Sequence, residues 1–230
     1  MFGHCACLLG SALQQEFIRG CRRRSELAES RQATRQCVLA ALVAAAFARS
    51  PPLPAKQRYR GWGWNPGTSS WVEPTSVALV VLGLCPKELL PAGANERRQS
   101  AEAMLYDRMC PGGGWNCGDP LVYGVPGKPL VIPTAWALLA LRRYPQRPEN
   151  LASLDWLAGK LPDEAGPGSL ALAQICLEAY GHKWPATAHR PDDLYSNNEF
   201  LGSITTTAWV CLAANSRRSW LTGESGEAAR

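Results

Sequence analysis

Gly61 to Leu84, GWGWNPGTSSWVEPTSVALVVLGL, decides the fold because the chain writes it twice. Gly112 to Leu141 reads GGGWNCGDPLVYGVPGKPLVIPTAWALLAL. Each copy opens on a Gly/Trp turn, crosses a polar loop and reaches a proline, Pro74 or Pro133. Thr75 or Thr134 follows, and then an apolar run. Proline suits the first turn of a helix, where its missing N–H is not needed. The glycines permit a sharp turn, and Trp64 and Trp115 just after them are expected to plug the gap beneath the next helix. A repeated unit of this length constrains the fold before any other signal.

Working outward, the first apolar helix is expected over Pro74–Leu84, ended by Cys85-Pro86, since a residue before proline avoids the α region. Asn95 should cap a second helix, Glu96–Met109. Its Glu96, Arg97, Arg98, Glu102, Asp107 and Arg108 face water, and Ala101, Met104 and Leu105 form the apolar stripe. After the second Gly/Trp unit comes Pro133–Leu141. Pro148 or Asn150 then opens an amphipathic helix to Leu161 that buries Leu151, Leu154, Trp156 or Leu157, and Leu161. Two more apolar runs follow, Ser169–Leu177 and Thr206–Ala214. Thr75, Thr134, Ser169 and Thr207 align at their starts, and Thr134-Ala135-Trp136 recurs as Thr207-Ala208-Trp209. Apolar helices alternating with amphipathic ones imply an all-α fold in two layers, inner helices buried nearly all round and outer ones half exposed.

The 230 residues carry a net charge of +5, unevenly placed. Residues 1–60 hold ten Lys/Arg against three Asp/Glu, whereas the rest hold fourteen against sixteen. A body so nearly neutral argues against nucleic-acid binding. The nine cysteines include no CxxC pair, and only three histidines are present, so a zinc finger is not indicated. Cys37, Cys85, Cys176 and Cys211 lie in or beside apolar runs, as reduced core thiols of a cytoplasmic protein would. Residues 1–29 are a poorly determined basic segment, 30–215 the helical-repeat domain and 216–230 a tail. Val38–Ala48 is eleven residues long, too short to span a bilayer. Its preferred reading is part of a helix from Ser30 to Ala48, stopped by Pro51-Pro52; a cleaved export signal is the alternative. Arg22-Arg23-Arg24 reads as a solvated helix end, with peripheral contact to an acidic membrane surface as the other option.

The Gly/Trp turn followed by an apolar helix, in a two-layer alternation, resembles the prenyltransferase and squalene-oxidase repeat. That family builds the α/α toroids of squalene and hopene cyclases and of protein prenyltransferase β subunits. Its turn usually reads Gln, a few residues, Gly and Trp. Gln57…Gly61-Trp62-Gly63-Trp64 keeps this pattern, and Met109 stands where the second glutamine would fall. The resemblance covers about residues 30–215 and implies a toroid-like arc of about four helix pairs, short of the family's closed ring of about six. Such a chain is a fragment, or pairs with another subunit or a membrane, or works as a shortened arc. Unless Arg217–Trp220 or the N-terminal segment folds back over it, the unclosed flank at Thr206–Ala214 would expose Trp209, Val210 and Leu212 and favour self-association or a protein partner.

The family's catalytic motifs are missing. The cyclases' DxDD, the prenyltransferases' Asp-x-Cys with its distant His, a DDxxD diphosphate motif and the thioester GCGEQ do not occur. Cys117 and Asp119, with His182 and His189, lack a family spacing for zinc, so neither metal nor cofactor is implied. Glu73 and Asp119 are the candidate catalytic acids; the competing roles are a helix-start acceptor for Glu73 and loop-amide bonding for Asp119 and Asn116. Trp62, Trp71, Trp136, Tyr123 and Asn116 are the candidate ligand contacts, an aromatic wall suited to an isoprenoid chain or a developing cation. Three functions remain open: an apolar-ligand or partner-binding repeat protein, a terpene cyclase or lipid-modifying enzyme with non-standard acids, and a structural scaffolding arc.

Overall fold

Pro74 and Pro133 each occupy the third position of their helix, where a missing N–H still costs no intrahelical bond. The computed structural model describes residues 38, 41–43, 45, 59–65, 67–197 and 203–214, and over these the chain is mostly helical. Helix α1 spans Val72–Leu84 and α2 Ala94–Asp107; α3 spans Val131–Ala140 and α4 Pro148–Lys160; α5 spans Pro167–Ala179, α6 Pro191–Asn197 and α7 Ile204–Ala214. α1 stops where expected, at an extended Cys85 before Pro86. α2 starts earlier than Asn95 would dictate, because Gly93 at φ 78° turns the chain into the helix instead. Among the described residues the only sheet is a hairpin pairing Leu121–Val122 with Val125–Pro126. Within the expected Ser30–Ala48 helix, residues 38, 41–43 and 45 are helical and Val43 is buried. The rest of that helix, the segment 1–29 and the tail 216–230 lie outside the described residues.

α1 packs on α3, α3 on α5 and α5 on α7, so the four apolar helices stand in a row. α2 covers α1, α4 covers α3, and α6 touches both α5 and α7. In the middle of the row α5 is buried at every position from Leu170 to Leu177, as a helix walled in on all sides should be. At the end of the row α7 buries Val210 and Ala213, and its Cys211 is exposed, contrary to the expected core thiol. In the outer helices the α2 stripe is Ala101, Met104 and Leu105 as read, joined by Glu102. α4 buries Leu154 and Leu157 but leaves Leu151 exposed.

Two hydrogen-bond circuits hold each turn against its inner helix, and they correct the alignment of the tryptophans. The Trp115 N–H donates to Thr134 Oγ1 at 2.9 Å, and that hydroxyl donates back to the Trp115 carbonyl at 3.2 Å. The Trp62 N–H and carbonyl make the same pair with Thr75 Oγ1, at 2.8 and 3.2 Å. Trp71 and Leu130, each just before its helix, donate N–H to the carbonyls of Trp62 and Trp115. The partner of Trp115 is therefore Trp62, not Trp64. Trp115 is fully buried and Trp62 7% exposed, while Trp64 is 45% exposed. The glycine preceding each paired tryptophan has little room for a side chain: a Cβ on Gly61 would run into Thr75, and one on Gly114 would run into Pro129 and crowd Thr134.

Polar groups expected in water instead tie the layers together. The Arg97 guanidinium lies 4.4 Å above the Trp62 ring and donates to the Arg60 and Gly61 carbonyls; Arg98 donates to the Leu82 carbonyl. Glu102, 5% exposed, accepts from the Tyr144 hydroxyl at 2.8 Å and from Arg143 at 3.3 Å. These three side chains leave the solvent face because the carbonyls and donors of the adjoining turns lie within their reach.

Candidate functional site

Counting from the first residue of each inner helix, Thr75, Thr134 and Thr207 all fall at position four, with their N–H groups bonded to the carbonyl just before the helix. In α5 that place is taken not by Ser169 but by Leu170, whose N–H bonds the Gly166 carbonyl in the same way. Position four of α1 and α3 faces the turn and the outer layer. Positions two, six and nine lie roughly 140–200° further round at 100° per residue, and so share the opposite face.

That opposite face is apolar. Position six holds Val77, Trp136, Leu172 and Trp209; position nine holds Val80, Leu139, Ile175 and Leu212. The Trp136 and Trp209 rings meet edge to face with centroids 5.3 Å apart, although α5 stands between their helices. Contact from the first neighbour to the second across α5 brings the inner faces of α3 and α7 together over buried Leu172. It also corrects the expected bare flank, since Val210 is 7% exposed and Trp209 and Leu212 are half-buried. Towards α1 the face opens. Val77 is 39% exposed, and Ile132 at position two of α3 is 38% exposed.

The equivalent of Ile132 in α1 is Glu73, the one acid at position two of the row. It sits in the first turn, yet no side chain caps this helix start, so the expected acceptor role is not seen. Half-burial pushes its carboxyl above the ordinary carboxylate range. Beside it the Val72 N–H donates to the Cys117 carbonyl, and the Trp71 ring lies near enough to Gly118 that an added Cβ there would make ordinary van der Waals contact with it. Burial, and then the nearby Glu73 charge, push the exposed Cys117 thiol up, away from a reactive thiolate.

The structure thus brings Trp71, Glu73 and the Asn116–Asp119 loop together at the rim where α1 begins. Asn116 and Asp119 do shape the loop: Asn116 donates to the Asp119 carbonyl and accepts from the Gly118 N–H, and Asp119 accepts from the Leu121 N–H. Asp119 also pairs with Arg108 at 3.4 Å. Trp62 is not on this face but beneath Arg97, and Tyr123 stands at the hairpin tip, fully exposed. Trp136 is on the face, packed against Trp209. Sequence reasoning missed Val77, Ile132 and Trp209 as members. The signal was present in the repeated Thr-Ala-Trp, which sets the register once Thr is known to face outward.

On the other side of the row a polar cleft of about 150 Å³ is lined by Gln174, Arg190, Asp192 and Val210. Among the described residues no group of three or more His, Cys, Asp and Glu is placed to hold a metal ion, and no helix is long and apolar enough to cross a membrane. No protein-family description matches the chain, and neither the curated proteins nor the solved structures contain a match.

Proposed function

We propose that this chain is a non-catalytic helical-repeat protein of the prenyltransferase and squalene-cyclase kind, an open arc whose inner face holds an apolar, isoprenoid-like ligand. The observation that carries the proposal is the edge-to-face contact of Trp136 and Trp209 across α5. Two residues at the same repeat position converge on one side of the row, so the row bends towards that side. On that side Val77 and Ile132 are exposed and Val80 is partly so, the apolar wall of the proposed site. A branched hydrocarbon chain gains about 25 cal/mol for each Å² of apolar surface taken from water, and aromatic edges and faces accommodate its methyls without hydrogen bonds. Two acids nearby are occupied elsewhere: Asp119 by Arg108 and the Leu121 N–H, Glu102 by Arg143 and Tyr144.

Titration with farnesol, followed by tryptophan emission, tests this reading. Val77 is exposed, so Val77→Glu should leave the fold intact while placing a charge on the wall. Saturable binding by the native chain, weakened at least about tenfold in Val77→Glu, is the expected result. Absence of saturable binding, or equal binding by the variant, overturns it.

One observation favours a second reading. Glu73, its carboxyl raised by burial at the edge of the same face, could donate a proton to an isoprenoid double bond, as a terpene cyclase requires. A cyclised product from squalene or farnesyl diphosphate, lost in Glu73→Gln with binding retained, would establish catalysis in place of simple binding.

A further inference from the structure

We infer that two copies of this chain pair through the hairpin between α2 and α3, one apolar finger against the other. The segment Pro120–Pro126, PLVYGVP, carries no charged side chain. Leu121 and Val122 are about half exposed, Val125 is 65% exposed and Tyr123 stands entirely in solvent. Tyr123 has φ 51° and Gly124 φ 78°, the left-handed pair of a two-residue hairpin turn. Asparagine or glycine takes the first of those places readily, whereas a tyrosine there opposes its own backbone preference. The chain therefore holds a large aromatic ring outward, in a disfavoured conformation, and none of the described residues covers it.

The finger continues into a wider apolar rim. Gly118 at its base lies under the Trp71 ring, itself 39% exposed, and Leu130 just beyond is 49% exposed. A fully exposed tyrosine offers about 150–250 Å², and the partly exposed neighbours bring the rim to several hundred Å². That is on the order of the ~800 Å² per partner of a standard interface, and no smaller than the largest patch, roughly 300–600 Å², that a typical monomer leaves bare. The charges flanking the finger, Asp119 and Lys128, are opposite in sign. A second copy meets no like-charge repulsion there, and the rim has no cationic ring that would select an acidic lipid surface. Pairing about a two-fold axis needs only that the patch match itself, which a neutral apolar finger does.

Sedimentation velocity from low to high micromolar concentration, on the native chain and on Tyr123→Asp and Val125→Asp, tests the inference. A native dimer is expected, with its dissociation constant raised at least about tenfold in each variant while circular dichroism and farnesol binding stay unchanged. The last readout separates this inference from the ligand proposal. Should Tyr123→Asp fail to fold, Tyr123→Asn, which suits the turn, serves the same comparison. A native chain that stays monomeric throughout, a dimer indifferent to all three substitutions, or a monomer that co-sediments with phosphatidylcholine vesicles would overturn it.

Discussion

Replacing Trp115 with alanine should cost far more than the same change at Trp64, although the two stand in similar Gly/Trp sequences. Trp115 is fully buried, and its indole N–H donates to the Leu105 carbonyl at 2.6 Å. Emptying a buried site of that size costs about 3–5 kcal/mol. The lost indole bond adds little, because the Leu105 carbonyl still accepts the Arg108 N–H at 3.1 Å. At a urea slope of about 2 kcal/mol per M, the midpoint should fall by roughly 2 M. Trp64, 45% exposed, should change stability by no more than about 0.5 kcal/mol. Trp62→Ala should resemble Trp115→Ala, since Trp62 is its structural equivalent and also carries Arg97. Urea denaturation followed by far-ultraviolet circular dichroism measures all three. Equal midpoints for Trp64→Ala and Trp115→Ala would refute the register on which the inner face rests.

Further outcomes follow from the same contacts. Thr134→Val should cost about 1–3 kcal/mol by leaving the buried Trp115 N–H without its acceptor, and Thr134→Ser should recover most of it, as urea midpoints will show. Glu73→Gln should raise the melting temperature at neutral pH. The folded carboxyl binds its proton more tightly than the unfolded one, so stability declines as pH rises from the ordinary carboxylate range through the raised value. The variant escapes that decline. Its advantage should vanish once the pH drops below the ordinary carboxylate range, and an advantage that grows on acidification would contradict the sign.

The helices were legible because their signals are local. Proline placed the starts of α1 and α3 within two residues, Cys85-Pro86 fixed an end, and the run of α5, apolar from Leu170 to Leu177 except for Gln174, announced a helix buried nearly all round. The turn was misaligned for an equally physical reason. Sequence alone offers both Trp62 and Trp64 beside glycines, and only the hydroxyl of Thr75 selects the peptide it bonds. Glu102 and Arg97 looked like surface charges because their partners, Tyr144, Arg143 and the Arg60 carbonyl, come from turns about forty residues away. The candidate face was half visible. Trp136 and Trp209 announced themselves through Thr-Ala-Trp, but their meeting across α5 depends on how α3, α5 and α7 are placed in space, which no local pattern encodes.

The binding face is tested most directly by nuclear Overhauser contacts between bound farnesol and the protein. Cross-peaks from the prenyl methyls to the Trp136 and Trp209 indole protons and the Val77 methyls are predicted, disappearing in Val77→Glu. Cross-peaks confined to Tyr123 and the hairpin, or none at saturating farnesol, would contradict an apolar ligand site on the inner face.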